Sequence, residues 1–426
     1  MDKRFIFFYN KNNSENGVNQ KPMDEKGSNH QLLKQKNHSL IKKHIYRHSP
    51  ISRVEIAQQL GLTTAAITGM VSPLLASGLL RETNAPAEEN KGAGRPRTML
   101  EFVPDVYYIC GVDVGVYRTS YMLTDICGNV VAVRDADQQL GEYQLTLDRL
   151  AREIPDFLSE AGIPAEKMLG VGICLPGMID GSVDKVYDIF YEDWTEHNLC
   201  AELGQRIGLR VEVENNVRAR AISAELFDRI VKAEPFAYFF VSFGVACQMI
   251  IDGKVLYGQS AAAGEIGHTV VQRNGPVCPT CGNRGCLEAL TGERAILQQC
   301  RDIMATDTPT ILKELCREPK DLTMDQVLQA QDLGDAAVNQ VIDDAIEYLG
   351  IALANTINLI SPRAVVLDGR ILSMPRNQVR MLQIVEQYMF HIHSGMIDFT
   401  FLPYDPDRGA RAAAAVVVKE FLGRIV

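Results

Sequence analysis

Four side chains in the second half of the chain carry the most specific chemistry. His268, Cys278, Cys281 and Cys286 offer one imidazole and three thiolates, a donor set that satisfies tetrahedral zinc. Cys278-Pro-Thr-Cys281 has knuckle spacing. Gly282 and Gly285 let the backbone turn so that Cys286 reaches the same ion. Four protein ligands close the coordination sphere, so this zinc is expected to be structural rather than catalytic. The competing readings are a redox pair or three unrelated buried cysteines. Ten cysteines in 426 residues are not a disulfide scaffold, and a clustered trio reads first as a metal site.

A second set of residues is small and polar. Thr63, Thr64, Ala66 and Thr68 stand at the head of an apolar-periodic segment, where hydroxyls and small side chains can read base edges or bond phosphates. One of the two leading threonines is expected to serve as a helix cap. The surrounding elements fit a helix-turn-helix. Ser39 to His48 carries Leu40, Ile41 and Ile45 at helical spacing. Ser52-Arg53-Val54-Glu55 is a capping box opening a helix with Val54, Ile56, Ala57 and Leu60 on its apolar face. Gly61 breaks that helix, and a third begins near Thr63 or Thr64 with Ile67, Val71 and Leu74 facing inward. Gly69 weakens this third helix, and Pro73 is expected to kink or end it. Leu79 to Glu82 reads as a strand and Thr98 to Val103 as its return, the two sides of a wing. In the loop between them, Gly94-Arg95-Pro96-Arg97 resembles a minor-groove arm, with Arg95 and Arg97 drawn to the negative potential of a narrow A·T-rich groove. A solvated linker is the plainer reading.

Charge divides the chain in the same place. Residues 30–100 hold ten Lys/Arg against four Asp/Glu, and residues 1–29 hold five against four. The whole chain is at −10, which leaves about −17 on residues 101–426. A basic head attracts DNA; an acidic body repels it. Residues 1–29, rich in Asn, Lys, Gly and Ser, are expected to be disordered. No run of about 18 apolar residues is present, and Phe5 to Phe8 is too short a block for a signal-peptide core. A cytoplasmic protein is expected.

From Tyr107 onward strands alternate with helices. Tyr108 to Val114 and Arg118 to Leu123 read as a hairpin, Leu145 to Ala161 as a helix and Leu169 to Cys174 as a buried strand. A second half follows, with strands Ala237 to Val241, Gln248 to Ile251 and Ala364 to Leu367 and a long helix Ala336 to Ile360. The fold class is α/β behind a winged helix-turn-helix.

Several motifs taken together resemble the ROK family of repressors and sugar kinases. They are Ala263-Gly264-Glu265-Ile266-Gly267-His268, the cysteine cluster, Leu287-Glu288, Leu175-Pro176-Gly177-Met178-Ile179-Asp180, Trp194, Glu214-Asn215-Asn216, and Gly350 to Gly369. With the helix-turn-helix, the resemblance covers nearly the whole chain. It implies a two-lobed body of the actin-like, ribonuclease-H-like ATPase type. It also implies a sugar site: Asn215, Glu265, His268 and Glu288 match hexose-contacting positions, with Gly177 and Asn216 beside them. Carboxylates and an amide can share bidentate hydrogen bonds with vicinal hydroxyls, and a zinc-held imidazole offers its second nitrogen in a fixed tautomer. Alone, Glu265 or Glu288 would read as a solvated carboxylate.

Departures from the family pattern decide against an enzyme. A sugar kinase needs a base for the hydroxyl proton and glycine-rich loops that bring backbone N–H groups to phosphates. The family's base is the Asp of Glu-Asn-Asp, and this chain has Asn216, which accepts no proton at neutral pH. The first phosphate loop should read Asp-x-Gly-Gly-Thr and is Asp113-Val114-Gly115-Val116-Tyr117. The second is Ser242-Phe243-Gly244-Val245-Ala246-Cys247-Gln248, with one glycine left. Side chains there would crowd a nucleotide.

The expected organisation is a disordered extension (1–29), a winged helix-turn-helix with its linker (30–103) and an effector and dimerisation body (104–426) in two lobes, about 104–230 and 231–426. The expected partners are an operator duplex, a sugar or sugar-phosphate effector, and further copies of the chain in a homodimer or homotetramer. Two alternatives stay open: an active sugar kinase with a DNA-binding appendage, and a repressor controlled by a transport-system protein.

Overall fold

Glu55 folds back on Ser52 in a computed structural model that describes residues 30–84, 97–180, 185–188, 192–229, 235–251, 253–258, 261–390 and 394–424. The segment 1–29, read as disordered, and Arg95 lie outside the described residues.

The head opens with α1 (His30–His48), β1 (Ile51–Ser52), α2 (Arg53–Leu60) and α3 (Thr64–Ala76). Ser52 caps α2 as a full capping box: its N–H donates to Glu55 Oε2 at 2.9 Å, and its Oγ accepts from the Glu55 N–H. Gly61 ends α2 in the left-handed region at φ 64°, where a side chain would be strained. Thr63 is the cap of α3, its Oγ1 accepting from Ala66 N at 3.2 Å. Strands β2 (Leu80–Asn84) and β3 (Thr98–Phe102) form an antiparallel pair, and β1 adds to the far edge of β3. Pro73 does not end α3, which runs three residues further. Its missing N–H removes only one bond near the last turn, and the fully buried Ile67, Val71 and Leu74 hold the segment helical by packing, which outweighs propensity.

The body has two five-stranded sheets. The first is built from β4 (Tyr108–Val114), β5 (Thr119–Asp125), β6 (Val130–Ala136), β7 (Met168–Leu175) and β10 (Val211–Asn215), in the order β10-β7-β4-β5-β6. Between β7 and β10 lies a small pair, β8 (Met178–Asp180) and β9 (Lys185–Asp188). Helices α4 (Tyr143–Ala161) and α5 (Leu199–Ile207) cover one face of the first sheet; α6 (Asn216–Leu226) follows β10. The second sheet, in order β13-β12-β11-β14-β15, contains β11 (Phe236–Val241), β12 (Val245–Ile251), β13 (Lys254–Val255), β14 (Ala364–Asp368) and β15 (Asp398–Phe401). Its helices are α7 (Glu288–Thr291), α8 (Glu293–Met304), α9 (Leu312–Leu315), α10 (Met324–Asp332), α11 (Ala336–Ile360) and α12 (Pro375–Tyr388).

The last helix, α13 (Arg408–Gly423), returns to the first sheet and packs with α6 on its second face. Gly111 of β4 and Gly172 of β7 make this possible. A Cβ at either position would run into the α13 backbone at Ala410 or Ala413, so helix and sheet approach to backbone contact. A division of lobes at residue 230 does not anticipate this return. Because α13 belongs to the first sheet, its C-terminal end can seat the head. Lys42 of α1 donates to the carbonyls of Phe421 and Arg424, both at 2.7 Å, and Ser39 Oγ donates to Leu422 O. Arg47 pairs with Glu225 at the end of α6, and Arg229 donates to Tyr46 O and Ser49 O. One apolar cluster runs from Ile41 and Ile45 of the head through α6 into α13. Among the described residues no helix is long and apolar enough to cross a membrane.

Candidate functional site

The four predicted metal ligands converge. One donor atom from each of His268, Cys278, Cys281 and Cys286 lies within 4.8 Å of all the others. Cys278 Sγ is 3.7 Å from His268 Nδ1, and Cys281 Sγ is 3.5 Å from Cys286 Sγ. Bonds of about 2.3 Å to a tetrahedral ion would set such edges near ~3.8 Å, so the donor set fits zinc in number, type and spacing. The knuckle is shaped by its own backbone. Cys278 N–H donates to Asn283 O at 2.7 Å and Gly282 N–H to Cys278 O at 2.9 Å. Gly282 and Gly285 both have positive φ, and a Cβ on Gly285 would strike Gln272 O. With Nδ1 on the cluster, Nε2 of His268 is left for a second partner.

Beside the cluster stand Glu265 and Glu288. Thr280, inside the cysteine loop, donates its hydroxyl to Glu288 Oε1 at 2.6 Å, so the loop positions this carboxylate. Gly244 and Gly267 lie against Glu288, and a Cβ on Gly244 would come within 2.8 Å of its Oε2. Burial pushes the Glu265 carboxyl up, His268 and Arg218 oppose the shift, and Glu288 adds to it. From the other lobe comes Asn215, the cap of α6. Its Oδ1 accepts from the N–H groups of Val217 and Arg218, and its Nδ2 donates to Gly177 O at 2.8 Å. Asn216 is the first residue of α6 and half-buried.

Sequence reading passed over the residues that tie these two groups together. Arg218 is 1% exposed. It donates to Glu214 Oε1 and Ala261 O, at 2.8 and 2.9 Å, and to Ile179 O. Tyr257 donates to the other Glu214 oxygen at 2.6 Å. Arg218 thus joins β8, the end of β10 and the segment preceding Glu265. The available signal was two arginines in Val217-Arg218-Ala219-Arg220-Ala221-Ile222, among residues otherwise small and apolar.

Arg220, two residues on and so facing the other way around the helix, marks the place where the family pattern puts phosphate loops. It lies 3.5 Å from Asp113 and 3.4 Å from Asp368, one carboxylate from each sheet. Tyr238 donates to Asp368 at 2.6 Å, and Arg408 is 3.6 Å from it. Burial raises the Asp113 carboxyl, against the pull of Arg220 and Arg118. Tyr117 of the first loop and Phe243 of the second touch edge to face. Both rings line an open pocket of about 640 Å³ that Glu293, Arg294 and Arg370 also border.

In the head, Thr64 and Thr68 are exposed on α3, Thr63 is spent as a cap, and Ala66 is half-buried. Ala65, which the sequence reading left out, is exposed. Arg97 is exposed and lies 3.2 Å from Glu55.

Comparison with known proteins adds three findings. Residues 109–420 match the model of the ROK family. The chain is 28% identical over 341 residues to the xylose repressor of Bacillus subtilis (80% of this chain, 84% of the relative). It is 26% identical over 344 residues to the DNA-binding transcriptional dual regulator NagC of Escherichia coli (80% and 82%). Among solved structures it is similar to a ROK family transcriptional regulator, a homolog of the E. coli MLC protein, with TM-score 0.76 and 25% identity over 92% of this chain and 97% of that one. A ROK family glucokinase from Streptomyces griseus shares the fold of the body, with TM-score 0.63 and 21% identity over 72% and 98%.

Proposed function

The chain belongs to the ROK family, and from that premise we propose that it is a sequence-specific DNA-binding regulator. It represses sugar uptake or catabolism genes under the control of a sugar or sugar phosphate. Its head (residues 30–103) is a winged helix-turn-helix, with α3 in the major groove and β2–β3 as the wing. Thr63, Thr64, Ala66 and Thr68 face the duplex, and Arg95 and Arg97 lie along the minor groove. Its body (104–426) holds the effector between the lobes through Gly177, Asn215, Asn216, Glu265, His268 and Glu288. Zinc sits on His268, Cys278, Cys281 and Cys286 and fixes the imidazole that meets the sugar. A homodimer or homotetramer places two heads on one operator.

The observation that carries this reading is the run of α6. Its first turn holds Asn215 and Gly177 in the effector cleft, and its end pairs Glu225 with Arg47 of the head. An effector that changes the angle between lobes therefore acts on the seat of the reading helix, a shift between two arrangements. Phosphoryl transfer is not part of this function. Asn216 supplies no base, Arg220 occupies the space between Asp113 and Asp368, and the rings of Tyr117 and Phe243 stand in the loops that would cradle phosphates.

The test is mobility shift of operator duplex by the full chain against a panel of pentoses, hexoses, N-acetylated hexosamines and their phosphates. The expected result is a duplex bound in a sequence-dependent way and released by one sugar class. Enzymatic ADP formation with any of these sugars would overturn the reading.

A further inference from the structure

Helix α3 carries no charge. Between Glu55 and Arg81 the chain has no Asp, Glu, Lys, Arg or His at all, so the charged side chains that make the commonest base contacts are missing from this stretch. Its hydroxyls are largely committed as well. Thr68 Oγ1 donates to Thr64 O at 2.8 Å, Ser72 Oγ donates to Thr68 O at 2.8 Å, and Thr63 Oγ1 is held by the Ala66 N–H. A hydroxyl that has given its proton to the preceding turn has none left for a base acceptor. Beyond Thr64 in the first turn, the exposed side of the helix offers methyl groups, those of Ala65 and Thr68, next to the bare backbone of Gly69. Residues 65 and 68 are three apart and so share one face.

Only one group on the major-groove edge of a base pair is recognised by apolar contact: the C5 methyl of thymine. We propose that α3 reads its operator chiefly through thymine methyls, with Ala65 and Thr68 as the specificity-determining residues and the Thr68 methyl, not its hydroxyl, as the reading group. This rests on the DNA-binding reading above. In this scheme charge is supplied from outside α3, by the cations of α1 and of the wing, and positions the protein without choosing the sequence.

Two exchanges of one atom group each separate methyl from hydroxyl. Thr68→Val keeps the methyl and removes the hydroxyl; Thr68→Ser does the reverse. Thr68 is exposed, so neither disturbs the core. The probe is the duplex that the full-length protein enriches from a randomised library, resynthesised with deoxyuridine replacing thymidine one position at a time. In each half-site one or two replacements are expected to weaken binding about fourfold, the value of one buried methyl. Thr68→Ser should lose the same factor on the thymidine duplex and show no further loss when its matched thymidine becomes deoxyuridine. Thr68→Val should bind within twofold of the wild type. If Thr68→Val loses affinity while Thr68→Ser keeps it, or if deoxyuridine is tolerated everywhere, methyl reading is wrong although DNA binding stands. If the library yields no enriched sequence, the DNA-binding reading itself fails, and this inference with it.

Discussion

Tyr117 and Phe243 meet with ring centroids 5.6 Å apart and planes at 73°, an edge-to-face contact between the loop after β4 and the loop after β11. Such a pair contributes about 0.5–1.5 kcal/mol beyond the area it buries, and it sets two large side chains in loops that are glycine-rich in the family pattern. Restoring the base alone should therefore not restore an enzyme. Asn216→Asp is expected to give no ADP release above background with any hexose, and Asn216→Asp combined with Tyr117→Gly and Phe243→Gly should still fail, because Arg220 remains between Asp113 and Asp368. Coupled ADP detection checks this. Turnover in the single variant would sink the argument.

The buried pair of Glu214 and Arg218, 2.8 Å apart with side chains 2% and 1% exposed, predicts a strong asymmetry. Glu214→Gln leaves a guanidinium buried without its counter-charge and should cost about 3–5 kcal/mol. Glu214→Gln with Arg218→Met removes both charges and should recover much of that loss. Urea unfolding of the three proteins measures it; equal destabilisation of single and double variants would contradict the account.

Zinc content and effector affinity should fall together. Cys286→Ser removes one of the four candidate ligands, and elemental analysis is expected to find one zinc per chain in the wild type and the metal lost from the variant. Since the cysteine loop holds Glu288 through Thr280, sugar affinity is expected to drop roughly tenfold to a hundredfold. A metal-free variant that binds its sugar normally would detach the cluster from the cleft.

The head's seat can be loosened without touching either binding site. Lys42→Met removes the ammonium that lies 4.4 Å over the Phe421 ring and leaves the Phe421 and Arg424 carbonyls unpaired, a loss of about 1–3 kcal/mol. Hydrogen exchange should rise in α1 and the last turn of α13 and stay unchanged in α11. Uniform protection across all three would refute the seat.

Acid should weaken the head through Glu55. The Ser52 N–H and hydroxyl hold its carboxyl below the ordinary value of 4.5, with Arg97 adding to the effect. A depressed carboxyl gives stability that is complete above 4.5 and lost as pH falls through the folded value. Thermal melts taken down through this range should show the decline in the wild type and a flatter profile in Glu55→Gln.

Much of this molecule could be read from short stretches of chain. The capping box at Ser52 and Glu55, the stop at Gly61, the cap at Thr63 and the cysteine knuckle all arise from residues within a few positions of one another, where spacing dictates geometry. Pro73 misled because burial of Ile67, Val71 and Leu74 is a tertiary fact that overrides a local preference. Arg218, Arg220 and Lys42 were invisible for the complementary reason. Each is defined by partners far away in sequence, and an arginine or lysine on a helix looks the same whether it faces water or a distant carboxylate. The return of α13 belongs to this class too, announced only by two strand glycines whose need for room has no meaning until the helix is in place.

Since α13 forms the seat of α1, the order of synthesis runs against the order of assembly. The ribosome delivers the head early and this part of its cradle last, so during translation the helix at 30–48 has only α6 to rest on. A chain released before residue 408 would keep the contacts at the end of α6, Arg47 with Glu225 and Arg229 with Tyr46, but lack the carbonyls that hold Lys42 and Ser39, so its head would be seated on one helix instead of two.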